Sequence, residues 1–393
     1  MKKHLLFTPG PVNVAPNLRV AISKEDICHR EVEFEHLLNS IEQKLLQVLK
    51  IENPGNYRAV VITGSGTAAN ESILSSVVGN KHILILSNGE FGGRLHQISK
   101  IHNENTHLLE FPWGENFDLD RIDAYLTKHS IDVVAMVHHE TCAGLLNSLE
   151  DVGALTKKHG ATFVVDCVSS AGAEIIEMEK CNIAFMSSSS SKAIGSYAGL
   201  SFVVGKTAEF EKLKDIPAKT MYLNLYKFYE FISTCYQTPN TPAVHLFYAL
   251  EQALANIIDL GVDQHYSTMK DKANMLRQGL LNLGLEFLIK QQDMCSILTT
   301  VNVPLNVNVS VLRQKLREKS IIIYEGKGCF KGKVFQVGNI GEISILDIQY
   351  FLNCLKEILI NFPAAEAREQ QARQMMQVDS TASNEPYIAE MIS

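Results

Sequence analysis

The sequence predicts an α/β fold: a seven-stranded, mostly parallel sheet followed by a smaller α+β C-terminal domain. Three observations carry this. Between residues 59 and 205, short apolar runs alternate with segments of helical spacing. The runs are continuously apolar rather than alternating, as in strands covered on both faces. After residue 205 the rhythm breaks, and strands and helices mix in no fixed order.

Taken in order, "AVVIT" (59–63) is the first strand, and "TAANESILSSVV" after it has helical spacing. "HILILS" (82–87) leads into the helical "FGGRLHQISKIHN", and "THLLEF" (106–111) into "LDRIDAYLTKH". "DVVAMV" (132–137) precedes "LEDVGALTKKHG". "TFVVDC" (162–167), "IAFMS" (183–187) and "LSFVVG" (200–205) complete the seven. "YQTPNTPAVHLFYALEQAL" (236–254) reads as a Pro-marked loop entering a helix, with a long helix from about 264 to 282. Strand-like "ILTTVNV", "SIIIYEG" and "VFQVGNIG" then mix with helical "VSVLRQKLREK" and a last helix near 345–361. The expected division is a large domain over 21–262 and a small one over 263–363, with a frayed or disordered tail over 364–393.

Composition excludes several classes of protein. The 393 residues are 46% hydrophobic and 20% charged, which is ordinary globular usage. A net charge of −7 offers no basic excess for a phosphate backbone, so nucleic acid is not an expected partner. No run of about 18 apolar residues marks a membrane span. The apolar stretch in "MKKHLLFTPGPV" is too short for a secretory signal. The eight cysteines form no CxxC pair, which fits reduced thiols in a cytoplasmic enzyme better than a disulfide scaffold or a metal site.

In open α/β sheets ligands sit beyond the carboxyl ends of the strands. One such end is "TGSGTAANE" (63–71), where Gly66, Thr67 and Ala68 would cradle a phosphate at a helix N-terminus. The plainer reading is a tight strand–helix turn. A third is the dinucleotide fingerprint G-x-G-x-x-A with Glu90 about twenty residues on, an NAD-binding oxidoreductase. A second end is "VVDCVSSAG" (164–172). Asp166 closes an apolar strand, a costly place for a carboxylate without a cationic partner; capping the next segment is the alternative. The third is "MSSSSSKAIGSYAG" (186–199), where Lys192 lies between two apolar strands. A linker there would split the sheet, so a tight loop presenting Lys192 explains the serines better than low complexity. In "NGEFGGR" (88–94), Phe91 is either a stacking aromatic or one more core side chain.

As an ordered set, phosphate turn, aromatic, strand-end Asp and then Lys resemble a pyridoxal phosphate enzyme of the aspartate aminotransferase fold, fold type I. With "LFTPGPVNV", "CHREVEF", "VHHETCAGLLN", "TPNTPAV", "IIYEGKG" and "FQVGNIGE", the chain resembles the class V aminotransferases over nearly its whole length. Within that family it is most similar to the 2-aminoethylphosphonate–pyruvate and alanine–glyoxylate branches.

The resemblance implies that Lys192 binds pyridoxal phosphate covalently and that Asp166 pairs with its ring nitrogen. Phe91 and Val168 would flank the ring, and Thr141 would bond near its phenolic oxygen. Gly66, Thr67, Ala68 and Ser189 would hold the phosphate, completed by Thr241, with Thr238 assisting, across a homodimer interface. The N-terminal segment 1–20, with Gly10 and Pro11 of "TPGP", would line the substrate entrance.

One departure stands out. Gln336 occupies the place of the arginine that clamps the substrate carboxylate in the family. A neutral amide in place of the guanidinium forfeits on the order of 1–3 kcal/mol. Ser191, where relatives often carry Asn or Gln, is a lesser departure. The expected activity is transfer of an amino group between a small amine or aminophosphonate and a 2-oxo acid. Lys327, Lys331, Lys333, Arg30 and Arg94 are the candidates for holding that acid. A lyase acting on a substrate without the usual carboxylate, and a non-catalytic homologue, are the alternatives.

Overall fold

The computed structural model describes residues 4–362, so the C-terminal tail expected after 363 lies outside the described residues. Strand β1 (Leu5–Phe7), helix α1 (Pro16–Ala21) and helix α2 (Val32–Val48) come first. An alternation follows: β2 (Tyr57–Thr63), α3 (Gly66–Val77), β3 (Ile83–Ser87), α4 (Glu90–His102), β4 (Thr106–Glu110), α5 (Leu119–Lys128) and β5 (Val133–Val137). A short hairpin of β6 (His139–Glu140) and β7 (Leu145–Leu146) precedes α6 (Leu149–Lys158). Then come β8 (Thr162–Asp166), β9 (Ile183–Ser189) and β10 (Leu200–Lys206).

The seven apolar runs form one sheet in the order β2-β10-β9-β8-β5-β3-β4. It is parallel from β4 through β9, and β10 runs antiparallel to both its neighbours. Every residue of β3 and β5 is buried, as continuous apolar strands between two helical layers must be. The serine run differs from expectation in one respect. Strand β9 does not stop at 187 but continues to Ser189, with Ser188 opposite Phe202 and Ser189 opposite Ser201. The polar hydroxyls hid a strand whose ladder depends on backbone groups alone.

After β10 the chain runs through α7 (Thr207–Lys212), α8 (Leu225–Cys235), α9 (Val244–Leu260) and α10 (Val262–Asn282). The last part holds β11 (Leu298–Asn302), α11 (Val309–Glu318), β12 (Ile321–Glu325), β13 (Val334–Gly338) and α12 (Ile345–Ile360). A capping box of Ser344 and Asp347 starts α12. The second sheet has the order β1-β12-β13-β11. Strand β1 was not foreseen, because three residues are too few for any periodicity to register. Its pairing with β12 brings the N-terminal "TPGP" turn back across the first sheet's open end, against Lys192.

All eight cysteines carry free thiols. Among the described residues no helix is long and apolar enough to cross a membrane.

Candidate functional site

The carboxyl ends of β2, β5, β8 and β9 open onto one cavity of about 180 Å³. Its wall includes Gly66, Thr67, Phe91, Thr141, Asp166, Val168, Ser189 and Lys192, eight residues singled out from the sequence. Each arrives there for a local reason.

Asp166 is the last residue of β8. Its Oδ1 accepts the Val168 N–H at 2.8 Å and its Oδ2 accepts the Asn70 amide at 2.6 Å. Burial raises its pKa; those two hydrogen bonds and the charges of Arg94 and Lys192 pull the other way. Asn70 lies one helical turn beyond Gly66 on α3 and also accepts from Ser187. That spacing was its only signal in the sequence.

Gly66 begins α3, following Ser65 at the cap position. A Cβ at residue 66 would fall 2.6 Å from the Val168 side chain, so glycine permits this approach of turn and cavity wall. Phe91 sits in the first turn of α4, with the Arg94 guanidinium 4.8 Å from its ring centre. The N–H groups of Phe91 and Gly92 each donate to Glu140 Oε2 at 3.1 Å. The hairpin that carries Thr141 is thereby tied to α4.

Lys192 lies in the loop between β9 and β10. Ser190 closes that loop: its N–H and hydroxyl reach the Leu200 carbonyl, and its carbonyl accepts the Ser196 N–H. Lys192 Nζ donates to the Pro9 carbonyl at 2.7 Å. Gly10, at φ +128°, stacks so closely on the lysine that a Cβ would meet its Cδ and Nζ at 2.6 Å. Burial, offset by Asp166 but reinforced by Lys327 and Arg94, lowers the Lys192 pKa to about 8. About a tenth of the amine is then neutral at pH 7.

The other sequence-picked residues stand elsewhere. Ala68 lies in the first turn of α3 and is not part of the wall, its N–H donating to the Ser65 carbonyl. Thr238 bonds within its own loop, to the Asn240 carbonyl, and Thr241 is exposed. Neither reaches the cavity of its own chain. Pro11 is exposed, and its carbonyl accepts the Thr8 hydroxyl. Gln336 is buried on β13 and is not part of the cavity wall. Its amide nitrogen donates to the Thr141 carbonyl (2.6 Å), the Cys142 carbonyl (3.2 Å) and the Thr300 hydroxyl (3.2 Å). Arg30 is tied to the Thr238 and Pro239 carbonyls. Glu90, the ribose-binding residue of the dinucleotide alternative, instead bridges Arg94 and Lys327.

Several wall residues went unrecognised, among them Asn70, Ser169 and His139. His139 is fully buried beside the cavity, and neither ring nitrogen has a hydrogen-bond partner. Burial holds its pKa down at about 3. A pair of histidines gives no sequence signal of which one loses its partners. Ser189 Oγ, on the same wall, is likewise buried and unpartnered. Such groups cost about 1–3 kcal/mol each unless something completes them.

Comparison with known proteins shows the family and the fold. The profile of the family "aminotransferase class-V" matches residues 20–346. A 2-aminoethylphosphonate–pyruvate transaminase of Phocaeicola vulgatus is 29% identical, covering 91% of this chain and 99% of its own. The enzyme of the same name from Lysinibacillus sphaericus is 30% identical over 94% of this chain and all of its own. The crystal structure of an alanine–glyoxylate aminotransferase from Nostoc sp. superposes with a TM-score of 0.86, at 27% identity, over 91% of this chain and 96% of that one. A buried lysine and a strand-end aspartate in one cavity, on this sheet order, with a family match over most of the sequence, lead to one conclusion: the chain belongs to the class V aminotransferases.

Proposed function

We propose that this aminotransferase uses pyridoxal phosphate to move an amino group from a 2-aminoethylphosphonate-like amine to a 2-oxo acid such as pyruvate. The observation that carries the reading is Lys192: a buried amine, its pKa brought down to about 8, in one cavity with the buried Asp166 carboxylate. The names of the relatives from P. vulgatus and L. sphaericus supply the substrate class.

The cavity suits the cofactor chemically. Two unpartnered polar groups, Ser189 Oγ and the His139 ring, are left for a ligand to complete. The glycine approach at residue 66 leaves N–H groups at the start of α3 for a phosphate. Asp166 is a buried carboxylate with room for a cationic ring nitrogen. Lys192 would hold the cofactor covalently, Phe91 and Val168 would flank its ring, and Thr141 would meet its phenolic edge. Gly66, Thr67, Ala68 and Ser189 would hold its phosphate. Thr238 and Thr241, outside their own chain's cavity, would complete that site in a second copy of a two-fold dimer.

Bound pyridoxal phosphate supplies an electrophilic carbon for amines and a sink for the electrons left on deprotonation. The protein does the rest. Asp166 would keep a ring nitrogen protonated through its negative charge. With the cofactor bound, Lys192 Nζ would be the base that takes the proton from the donor carbon and delivers it to the cofactor carbon joined to the same nitrogen. Its lowered pKa keeps a usable fraction neutral for this step. Gly10 and Pro9 confine the lysine so that its nitrogen stays within reach.

Incubation with 2-aminoethylphosphonate and pyruvate, followed by ³¹P and ¹H NMR, tests the reading. Alanine should accumulate one for one with amine consumed. Amine consumption without alanine, or release of inorganic phosphate, would count against it.

A further inference from the structure

Both proposed substrates carry an oxyanion, and Gln336 brings no charge to one, while its amide nitrogen is engaged with the Thr141 and Cys142 carbonyls. A cation must serve elsewhere. Next to the cavity that holds Lys192 lies another of about 390 Å³, and Arg94 walls both. The larger cavity also holds Lys327, Lys331, Glu90, Glu110 and Trp113.

Two of its cations converge on a single atom. Arg94 Nη2 lies 3.1 Å from Glu90 Oε1, and Lys327 Nζ lies 3.7 Å from the same oxygen. They come from different parts of the fold. Arg94 is on α4, set over the Phe91 ring, and Lys327 is in the loop after β12. Trp113 packs near Phe330 and braces that loop, with ring centres 6.2 Å apart. A carboxylate oxygen held between a guanidinium and an ammonium marks where another oxyanion would sit. Both cations are near enough to lower the Lys192 pKa, so an anion bound here lies within the field of the reacting nitrogen.

We infer that Arg94 and Lys327 form the subsite for the substrate's phosphonate or carboxylate group, with Glu90 occupying it as an internal stand-in that the substrate displaces. This rests on the transaminase reading above. It makes Glu90 a competitor, so neutralising it and removing Lys327 should act in opposite directions.

The test measures binding of methylphosphonate to the cofactor-loaded enzyme by calorimetry, in wild type, Lys327→Ala and Glu90→Gln. The KM values for 2-aminoethylphosphonate and pyruvate are measured alongside. Lys327→Ala should weaken methylphosphonate about tenfold, as loss of one charge-assisted contact does. Glu90→Gln should tighten it several-fold. If the KM effect falls on the amine, the group bound is the phosphonate; if on pyruvate, it is the carboxylate. Unchanged binding in Lys327→Ala, or a shift of the same sign in both variants, overturns the subsite. Opposite shifts in an enzyme that does not turn over 2-aminoethylphosphonate would keep the subsite and sink the substrate assignment instead. Normal turnover with both KM values unmoved in Lys327→Ala would do the reverse.

Discussion

Two buried carboxylates stand close together in this protein, and their surroundings differ. Asp166 accepts one backbone N–H and one amide, and the rest of its field comes from the cations Arg94 and Lys192 around an open cavity. Glu140 is enclosed by the protein itself: the N–H groups of Phe91, Gly92 and Cys142 take its oxygens. Burial outweighs those donors and pushes the Glu140 pKa up to about 7. The difference teaches that a buried carboxylate marks chemistry only where the protein leaves space beside it for a cation. Glu140 is a latch that holds α4 and the Thr141 hairpin in register.

Breaking the Asp166 side should give the largest effects. Lys192→Ala should cut turnover by on the order of 10³-fold or more, since it removes the proposed covalent tether and base together. Asp166→Asn keeps the shape and loses the charge. Losing one fixed electrostatic partner at the reacting centre typically costs about 10²–10³-fold in kcat, so kcat should fall by that much, with the protein still folded by circular dichroism. Gly10→Ala pushes a Cβ into the Lys192 side chain at a φ that favours glycine. A displaced lysine should lower kcat by up to about a hundredfold.

On the latch side the effects fall on stability. Glu140 has a folded pKa above its unfolded value, so the native state binds the extra proton between about pH 4.5 and 7. Its contribution is therefore most favourable at low pH and declines as pH rises through about 7. Glu140→Gln should remove that decline: relative to wild type, the variant gains roughly 2–3 kcal/mol between pH 5 and 8 in urea unfolding. The buried His138 and His139, both held neutral with pKa values of about 3, add the opposite slope below pH 6.5. They do so in both proteins and cancel in the difference. The smallest effect is expected at Gln336→Leu, which strips the Thr141 and Cys142 carbonyls of a donor and should cost about 1–3 kcal/mol of stability. A collapse of turnover matching Asp166→Asn would mean that Gln336 touches substrate after all.

The same contrast explains what the sequence revealed. Asp166, Gly66 and Lys192 sit at the ends of apolar strands, so each could be read from its own ten residues. Asn70 was legible in principle, one turn from Gly66, but an amide in an apolar helix carries no label of its own. The three-residue β1 and the serine-built end of β9 escaped because their pairing rests on backbone groups rather than side-chain pattern. The wall formed by Arg94, Glu90 and Lys327 joins segments far apart in the chain, and no local pattern records that they share an oxygen. Gln336 was visible as a departure, yet only its three hydrogen bonds show where its amide is directed.

The central claim is that Lys192 is the residue that carries the cofactor. Borohydride reduction of the protein loaded with pyridoxal phosphate, followed by peptide mass spectrometry, tests it directly. The account predicts one phosphopyridoxyl group per chain, on Lys192 and blocked by Lys192→Ala. No adduct, or an adduct centred on another lysine, would contradict it.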